Sequence, residues 1–445
     1  MDRYPAYKDS GVEWLGEIPK HWTIKRLRHI SSFITVGVVV NPSSYVTDHG
    51  VPFLFGSEVT EQGINIKKTR RIPKAISDGE LRKTRLETGD LVTVRVGYPG
   101  VTAVVPPELE GANCASIMLV RKSNTFDSFW LCYAMNSRIG RYQVEQVQYG
   151  AAQEQFNISH AINFIFPVPP LAEQRLIAQY LDRQTAKIDT LTTAKQHLLE
   201  LLTEKRRALI THAITRGLNP DVPIRDSEAD WYGKIPQHWE VKRLRWFIKN
   251  LEQGWSPQAE GREPAEDEWG VLKLNAVKDG QFDPSKAKAL PTSVEVPLSL
   301  EIHPGDFLIT RANTPELVGD VCYVQKTRPY LMLSDLIYRL RLDESKLDGQ
   351  FLSFFLQSPI SRLQIEADAR GSSASMVKIS QGHILDWLLL IPPLHEQQMI
   401  VSYITSKISK IDVLKIAIEQ AITLLQERRA ALISAAVTGQ IRIPS

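Results

Sequence analysis

PPLAEQRLIAQYLDRQTAKIDTLTTAKQHLLELLTEKRRALITHAIT, residues Pro169 to Thr215, returns later in the chain as PPLHEQQMIVSYITSKISKIDVLKIAIEQAITLLQERRAALISAAVT, residues Pro392 to Thr438. One offset of 223 (392 − 169) aligns the two without a gap, and 21 of 47 positions are identical, which marks a true internal repeat. Both copies open with Pro-Pro-Leu-x-Glu-Gln, carry Lys-Ile-Asp at Lys187–Asp189 and Lys410–Asp412, and close near Arg-x-Ala-Leu-Ile. Apolar residues recur at heptad-related steps of three, four or seven: Leu181, Ile188, Leu191, Leu198, Leu202 and Leu209 in the first copy. Ile404, Ile411, Leu414, Ile418, Ala421, Leu425 and Leu432 recur likewise in the second. That spacing predicts the seam of a coiled coil. The Pro pairs mark helix N-termini, and Lys205, Arg206, Arg207, Arg428 and Arg429 place cations toward the C-terminal ends, as the helix dipole favours. Each helix is expected to be roughly 60–70 Å long. Two matching seams in one chain are most simply read as partners of each other.

The repeat extends beyond the helices. Tyr7 to Ile30 (YKDSGVEWLGEIPKHWTIKRLRHI) is echoed at offset 217 by Ile224 to Phe247 (IRDSEADWYGKIPQHWEVKRLRWF). Further anchors align at slowly drifting offsets: Gly63 with Gly280, Gly89-Asp90 with Gly305-Asp306, Arg95 with Arg311, Gly150 with Gly371, and Ile158-Ser159 with Ile379-Ser380. Gln440 stands where the first copy has Gly217. The anchors persist while the residues between them differ, as expected of one scaffold carrying two different surfaces.

Between the anchors the segments read as mixed. Short strands bounded by turn residues are predicted at residues 51–55, 91–96, 101–105 and 117–120, and at 271–274, 307–310, 321–324 and 337–342. A helix is expected to follow each set, at 129–147 and 350–367. The fold class is α+β: two mixed α/β domains and two long antiparallel coiled-coil helices, in a pseudo-twofold internal repeat. The expected limits are 1–168 for the first domain, 169–215 for the first long helix, 216–391 for a linker and the second domain, and 392–445 for the second long helix and C-terminal tail.

Composition is that of a soluble globular protein: 445 residues, 23% charged and 43% hydrophobic. No apolar run approaches a membrane span, and MDRYPAYKDS has no apolar signal core. Three unclustered cysteines (Cys114, Cys132, Cys322) fit a reducing, cytoplasmic setting. Net charge is +3 but uneven: residues 220–390 hold 20 basic and 25 acidic groups, −5, while the other three segments are positive. An acidic domain can still carry a basic face.

The candidate DNA-binding residues lie where the two copies differ. Lys67, Lys68, Arg70, Arg71, Lys74, Arg82, Lys83 and Arg85 form a basic run suited to phosphates; its thinner counterpart includes Lys273. In the loop before the first long helix, Gln153, Gln155 and Asn157 have amides able to pair with adenine edges. In the loop before the second, Ser372, Ser373, Ser375 and Lys378 offer hydroxyls and a cation. Arg95 and Arg311 follow the Gly-Asp strands and could reach guanine or phosphate, or pair with a carboxylate. A solvated face remains the bland reading of the basic run, and a tolerated surface loop that of the two loops. Trp14, Trp22, Trp231 and Trp239 are read as core, and His21 and His238 as hydrogen-bonded rather than metal-ligating. No phosphate-binding loop, HExxH or zinc-spaced cysteine set occurs; Glu240-x-Lys242 after Asp221 mimics a nuclease spacing, but the first copy lacks the acid.

The paired Pro-Pro-Leu-x-Glu-Gln helices and the repeated Trp-x-Gly-x-Ile-Pro-x-His-Trp segments resemble the specificity (S) subunit of Type I restriction–modification systems, over essentially the whole chain. The resemblance implies that each variable segment is a target recognition domain reading one half of a bipartite, asymmetric site in double-stranded DNA. It implies helices that set the spacer and dock two methyltransferase (M) subunits, with restriction (R) motor–nuclease subunits joining them. No catalysis, metal or cofactor is implied in this chain: S-adenosylmethionine belongs to the methyltransferase, ATP and Mg to the restriction subunit. The alternatives are a protein-interaction scaffold that binds no DNA and a recognition subunit of a methylation-only system.

Overall fold

The computed structural model describes residues 2–149, 154–227, 229, 231–373 and 376–444, with residues 370–373 described as backbone only. The two longest elements are the helices Leu171–Arg216 and Leu394–Val437. The chain divides into two compact units, residues 1–196 with 419–445, and residues 197–418. Each unit therefore contains one half of each long helix.

The first unit is built on a four-stranded antiparallel sheet in the order Thr102–Val104, Leu91–Val94, Ile117–Val120, Ile34–Val36. Its central strand 91–94 is buried throughout, so it reads as a continuous apolar run and not as an alternating one. A smaller three-stranded sheet joins Asn113–Cys114 in parallel to Val51–Leu54, which pairs antiparallel with Arg70–Ile72. The second unit repeats both sheets. Val321–Tyr323, Phe307–Thr310, Ile337–Leu342 and Ile248–Gln253 form the larger, and Leu331–Met332 again joins Gly270–Leu272 in parallel.

In both units the helices run antiparallel. In the first, Ile177 and Leu181 share a core with Ile433, Ala436 and Val437, and Arg429 Nε meets Asp189 at 2.9 Å. In the second, Ile210, Ala213 and Ile214 pack with Ile400, Ile404 and Ile408. The predicted seam holds at Leu181, Ile404, Ile411 and Ile418, all buried. It fails at Leu191, Leu198 and Leu414, which are 47%, 43% and 53% exposed. The buried line of the second helix instead steps Ile400, Ile404, Ile408, Ile411, because each helix end must face a globular core as well as its partner helix. That is a wider apolar stripe than a strict coiled-coil seam.

The repeated motifs clip each helix start to its own globular part. Glu173 accepts from His21 Nε2 at 2.8 Å and Trp22 Nε1 at 3.2 Å, and also from the Tyr4 hydroxyl. Glu396 accepts from His238 Nε2 at 2.8 Å and Trp239 Nε1 at 3.2 Å. The adjacent glutamines act alike: Gln174 and Gln397 each accept from the backbone N–H of an aspartate, Asp127 or Asp348, that caps a helix of the globular part. Glu396→Ala is expected to destabilise the second unit by about 2–3 kcal/mol, because the buried Trp239 indole loses its acceptor. Denaturant unfolding measures this; a variant as stable as the parent would refute the clip.

Several sequence expectations are corrected. Trp22 and Trp239 are buried, but Trp14 and Trp231 are 37% and 44% exposed. The helices after the strands are broken in two, Ser128–Asn136 with Arg138–Val147 and Gly349–Leu356 with Pro359–Asp368. The break falls at Ser137, whose backbone is extended, and before Pro359, which lacks the N–H a continuing helix needs. Gly63 pairs within a hairpin strand while Gly280 sits in the corresponding turn, so Gly280 matches Gln62. Gly439, with φ +72°, is the counterpart of Gly217, with φ +74°, so the position assigned to Gln440 lies one residue off.

Candidate nucleic-acid interface

Each unit gathers three loops at one end of its larger sheet. In the first, strand 91–94 leads into Arg95, which is only 9% exposed. Arg95 Nε donates to the Phe156 carbonyl at 3.1 Å, and the Phe156 N–H donates back to the Arg95 carbonyl at 3.2 Å. Val96 bridges Gln155, Gly97 N–H donates to the Glu154 carbonyl, and Gln155 and Tyr149 exchange two backbone bonds of 2.9 Å. Burial lowers the Arg95 guanidinium's pKa from its ordinary value, while Tyr149 nearby opposes the shift. Arg95 thus positions the loop that carries Gln155 and Asn157. Asn157 caps the helix Ile158–Ala161 by accepting from the Ser159 N–H.

The second unit repeats this geometry with other residues. Arg311 follows strand 307–310, and the Ile379 N–H donates to its carbonyl at 3.0 Å. Ala312 pairs with the exposed Lys378. Ser380 caps the next helix, Gln381–Asp386. Phe156 and Asn157 therefore correspond to Ile379 and Ser380, an offset of 223, and the alignment of Ile158-Ser159 with Ile379-Ser380 is two residues out of register. The loop lengths differ, whereas the cap and the buried residue before it are fixed by the fold. Arg311 Nη1 donates to the Asp335 carbonyl at 3.3 Å, and its guanidinium lies 5.9 Å from the Tyr338 ring centre.

A third loop joins each cluster through a glycine with no room for a side chain. A Cβ on Gly37 would fall 2.0 Å from the Cys114 carbonyl oxygen, and one on Gly254 would fall 2.2 Å from that of Leu333. These close approaches bring Val38 and Trp255 onto the sheet end, where their N–H groups donate to the same two carbonyls. Beyond them, Val39 and Val40 are 54% and 81% exposed, and Trp255 is 43% exposed. Tyr98, at the tip after Arg95, is 83% exposed. Sequence reasoning missed these apolar and aromatic tips; their signal is an apolar residue flanked by glycine or proline, as in Val96-Gly97-Tyr98-Pro99-Gly100.

The basic run is only partly free. Lys67, Lys68, Lys74, Arg82 and Lys83 are exposed. Arg70 stacks over the Phe55 ring at 4.2 Å, Arg71 Nη1 donates to the Gly50 carbonyl at 3.0 Å, and Arg85 pairs with Asp78. Lys273 is half-buried beside the smaller sheet of its unit, its N–H on the Lys286 carbonyl. Gln153 and Ser375 lie outside the described residues, and of Ser372 and Ser373 only the strand backbone is described. Lys242 pairs with Glu240 on the surface. Among the described residues no three His, Cys, Asp or Glu side chains are grouped to hold a metal ion, and no helix is long and apolar enough to cross a membrane.

The family model for the Type I restriction modification DNA specificity domain matches residues 297–424. The chain is 32% identical over 225 residues to the Type I restriction enzyme EcoEI specificity subunit of Escherichia coli, a match over 50% of this chain and 38% of that relative's length. With the EcoKI specificity subunit of Escherichia coli strain K12 it shares 23% identity over 443 residues, covering 96% of this chain and 90% of the relative. Two solved structures share the fold. A chain from work on complex assembly and conformational transition of the type I R-M system superposes with a TM-score of 0.70 at 16% identity, covering 95% of this chain and 99% of that one. The HsdS subunit from Thermoanaerobacter tengcongensis gives 0.54 at 17%, covering 95% and 98%. With two copies of one scaffold, each ending in a clipped long helix, the chain carries a Type I restriction modification DNA specificity domain and is similar over most of its length to Type I restriction enzyme specificity subunits.

Proposed function

We propose that this chain reads a bipartite site in double-stranded DNA, one half through each globular part, and that it performs no chemistry itself. The observation that carries this reading is the pair of loop clusters around Arg95 and Arg311. The same backbone frame holds both, yet it presents Gln155, Tyr98 and Val40 in one unit and Lys378, Trp255 and Ser256 in the other. Fixed backbone with exchanged side chains suits recognition of two different base sequences, since base edges are read by side chains while the frame sets register. The exposed lysines of the basic run supply phosphate contacts. Exposed Leu198, Leu201, Val413, Leu414 and Ile416 on the helices of the second unit give an apolar surface for methyltransferase subunits. Those subunits use S-adenosylmethionine, and restriction subunits use ATP and Mg.

Sequencing methylated bases in a host without adenine methylation, expressing this chain with its methyltransferase subunit, tests the reading. A split motif with methyl-adenine in both halves is expected. Replacing Lys378 with Ala is then expected to weaken or relax the half read by the second unit by about 1 kcal/mol or more and to leave the other half unchanged. A stable complex that methylates nothing would favour a protein-interaction scaffold.

A further inference from the structure

The internal repeat supplies its own control for a cleft of about 960 Å³ in the second unit. Arg206 of the first long helix, Lys415 of the second, and Lys278 and Arg362 of the globular part all line it. In the first unit the matching positions close on one another. Arg429 Nε meets Asp189 at 2.9 Å, Arg141 Nη2 meets Glu61 at 2.7 Å, and Arg429 Nη1 stands 3.9 Å from Glu61. Two arginines and two carboxylates neutralise each other there.

The second unit keeps the positions but not the closure. Arg206 matches Arg429, Asp412 matches Asp189, and Arg362 matches Arg141. Asp279 takes the place of Glu61 with one methylene fewer. Among the described residues neither Asp412 nor Asp279 forms an ion pair, and the buried Arg206 Nε has no hydrogen-bond partner. Arg362 is turned to the carbonyls of Val318 at 2.6 Å and Pro315 at 3.2 Å, with Glu366 at 3.6 Å.

Three neutral residues of the first unit, Ala430, Thr60 and Thr192, are matched by Arg207, Lys278 and Lys415 in the second unit, and these three cations line the cleft. The acids gained in exchange are partly occupied: Asp283 is held by Ser285 and lies 3.9 Å from Lys286, and Asp320 accepts from the N–H groups of Asp279 and Val321. Among the described residues Glu316, like Asp279 and Asp412, faces the cleft without such a bond. A buried guanidinium N–H without an acceptor is costly, and cations substituted around it select an anion with several acceptor oxygens.

We infer that this cleft binds a phosphate group, with Arg206 as the buried donor and Arg207, Lys278 and Lys415 as the neutralising cations. The phosphate is either a phosphodiester of duplex DNA, a source that rests on the recognition reading above, or that of a free phosphate-bearing ligand, which does not.

The test uses the full chain and inorganic pyrophosphate. Calorimetric titration is expected to show binding that Arg207→Ala/Lys278→Thr/Lys415→Thr weakens at least about tenfold. These substitutions install residues that the same scaffold carries in its first unit. Lys415→Thr alone, at one half-buried helix position, is expected to weaken binding roughly threefold. In parallel, the salt dependence of duplex binding is measured. A slope reduced by about 2 to 3 in the triple variant assigns the cleft to a phosphodiester. An unchanged slope with pyrophosphate binding lost assigns it to a free ligand. No pyrophosphate binding together with an unchanged slope overturns the inference. Should no duplex bind at all, the recognition reading fails while the pyrophosphate titration still decides the cleft.

Discussion

Asp306→Ala is expected to destabilise the second unit by about 3–5 kcal/mol, the range for removing one partner from a buried charge network. Asp306 is fully buried. One carboxylate oxygen accepts from the His303 N–H at 3.0 Å and lies 3.3 Å from Arg339 Nη1, and the other pairs with Arg341. Arg339 is itself 1% exposed, sits in the central part of strand 337–342, and is also held by Glu252 and the Glu301 carbonyl. Removing Asp306 opens the turn that starts strand 307–310 and leaves a buried guanidinium short of charge. Because that strand ends at Arg311, the recognition loops are expected to loosen with it. Asp306→Asn, which keeps the shape and one acceptor, should be milder. Asp306→Ala/Arg339→Met should recover part of the loss, since removing both charges avoids the stranded one. Chemical denaturation followed by tryptophan fluorescence reads all three. A double variant as unstable as the sum of its singles would show that the pair is not coupled.

The Gly-Asp anchor was visible in sequence as a repeated turn, but its reason was not. Asp90 plays the same part in the first unit, accepting from the Glu87 and Lys122 N–H groups at 2.7 and 2.9 Å, yet it faces one arginine, Arg121, where Asp306 faces two. Such long-range partners carry no periodicity. The long helices were legible because two copies of one pattern reinforce each other over 47 positions. Their buried face was less so: Leu191 and Leu414 fit a heptad yet point to solvent, because the globular cores, invisible to helical periodicity, decide which stripe is covered. The recognition frame was half legible. Arg95 and Arg311 announce themselves by repetition, and the pre-helix loops by their difference. Tyr98 and Trp255 are neither repeated nor periodic, so only the folded loops reveal their exposure. The register of those loops lies two residues from the letter match of Ile158 with Ile379 for a related reason, because the unlike caps Asn157 and Ser380 occupy the same place in the fold.

Gly439→Ala is expected to destabilise the first unit by about 3 kcal/mol or more, and Gly217→Ala the second by only about 1–2 kcal/mol. Both glycines follow the end of a long helix in the left-handed region, with φ +72° and +74°, so both alanines carry the same backbone penalty of about 1–2 kcal/mol. The surroundings separate them. A Cβ on Gly439 would stand 2.4 Å from two ring carbons of Pro19 and 3.2 Å from the Trp22 indole, rigid groups of the first globular part. On Gly217 the nearest atoms are the Glu396 carboxylate at 3.0 Å and the Trp239 indole at 3.3 Å, and the carboxylate can yield. The Gly439 carbonyl also accepts from the Tyr7 hydroxyl at 2.9 Å, so its displacement breaks a tie to the N-terminal segment. This end of the second long helix is therefore locked onto the Pro19–Trp22 turn more tightly than the end of the first is locked onto Trp239. Thermal unfolding of the two variants side by side decides the matter. Equal losses would mean that the left-handed backbone alone sets the penalty and that the Pro19 contact relaxes freely.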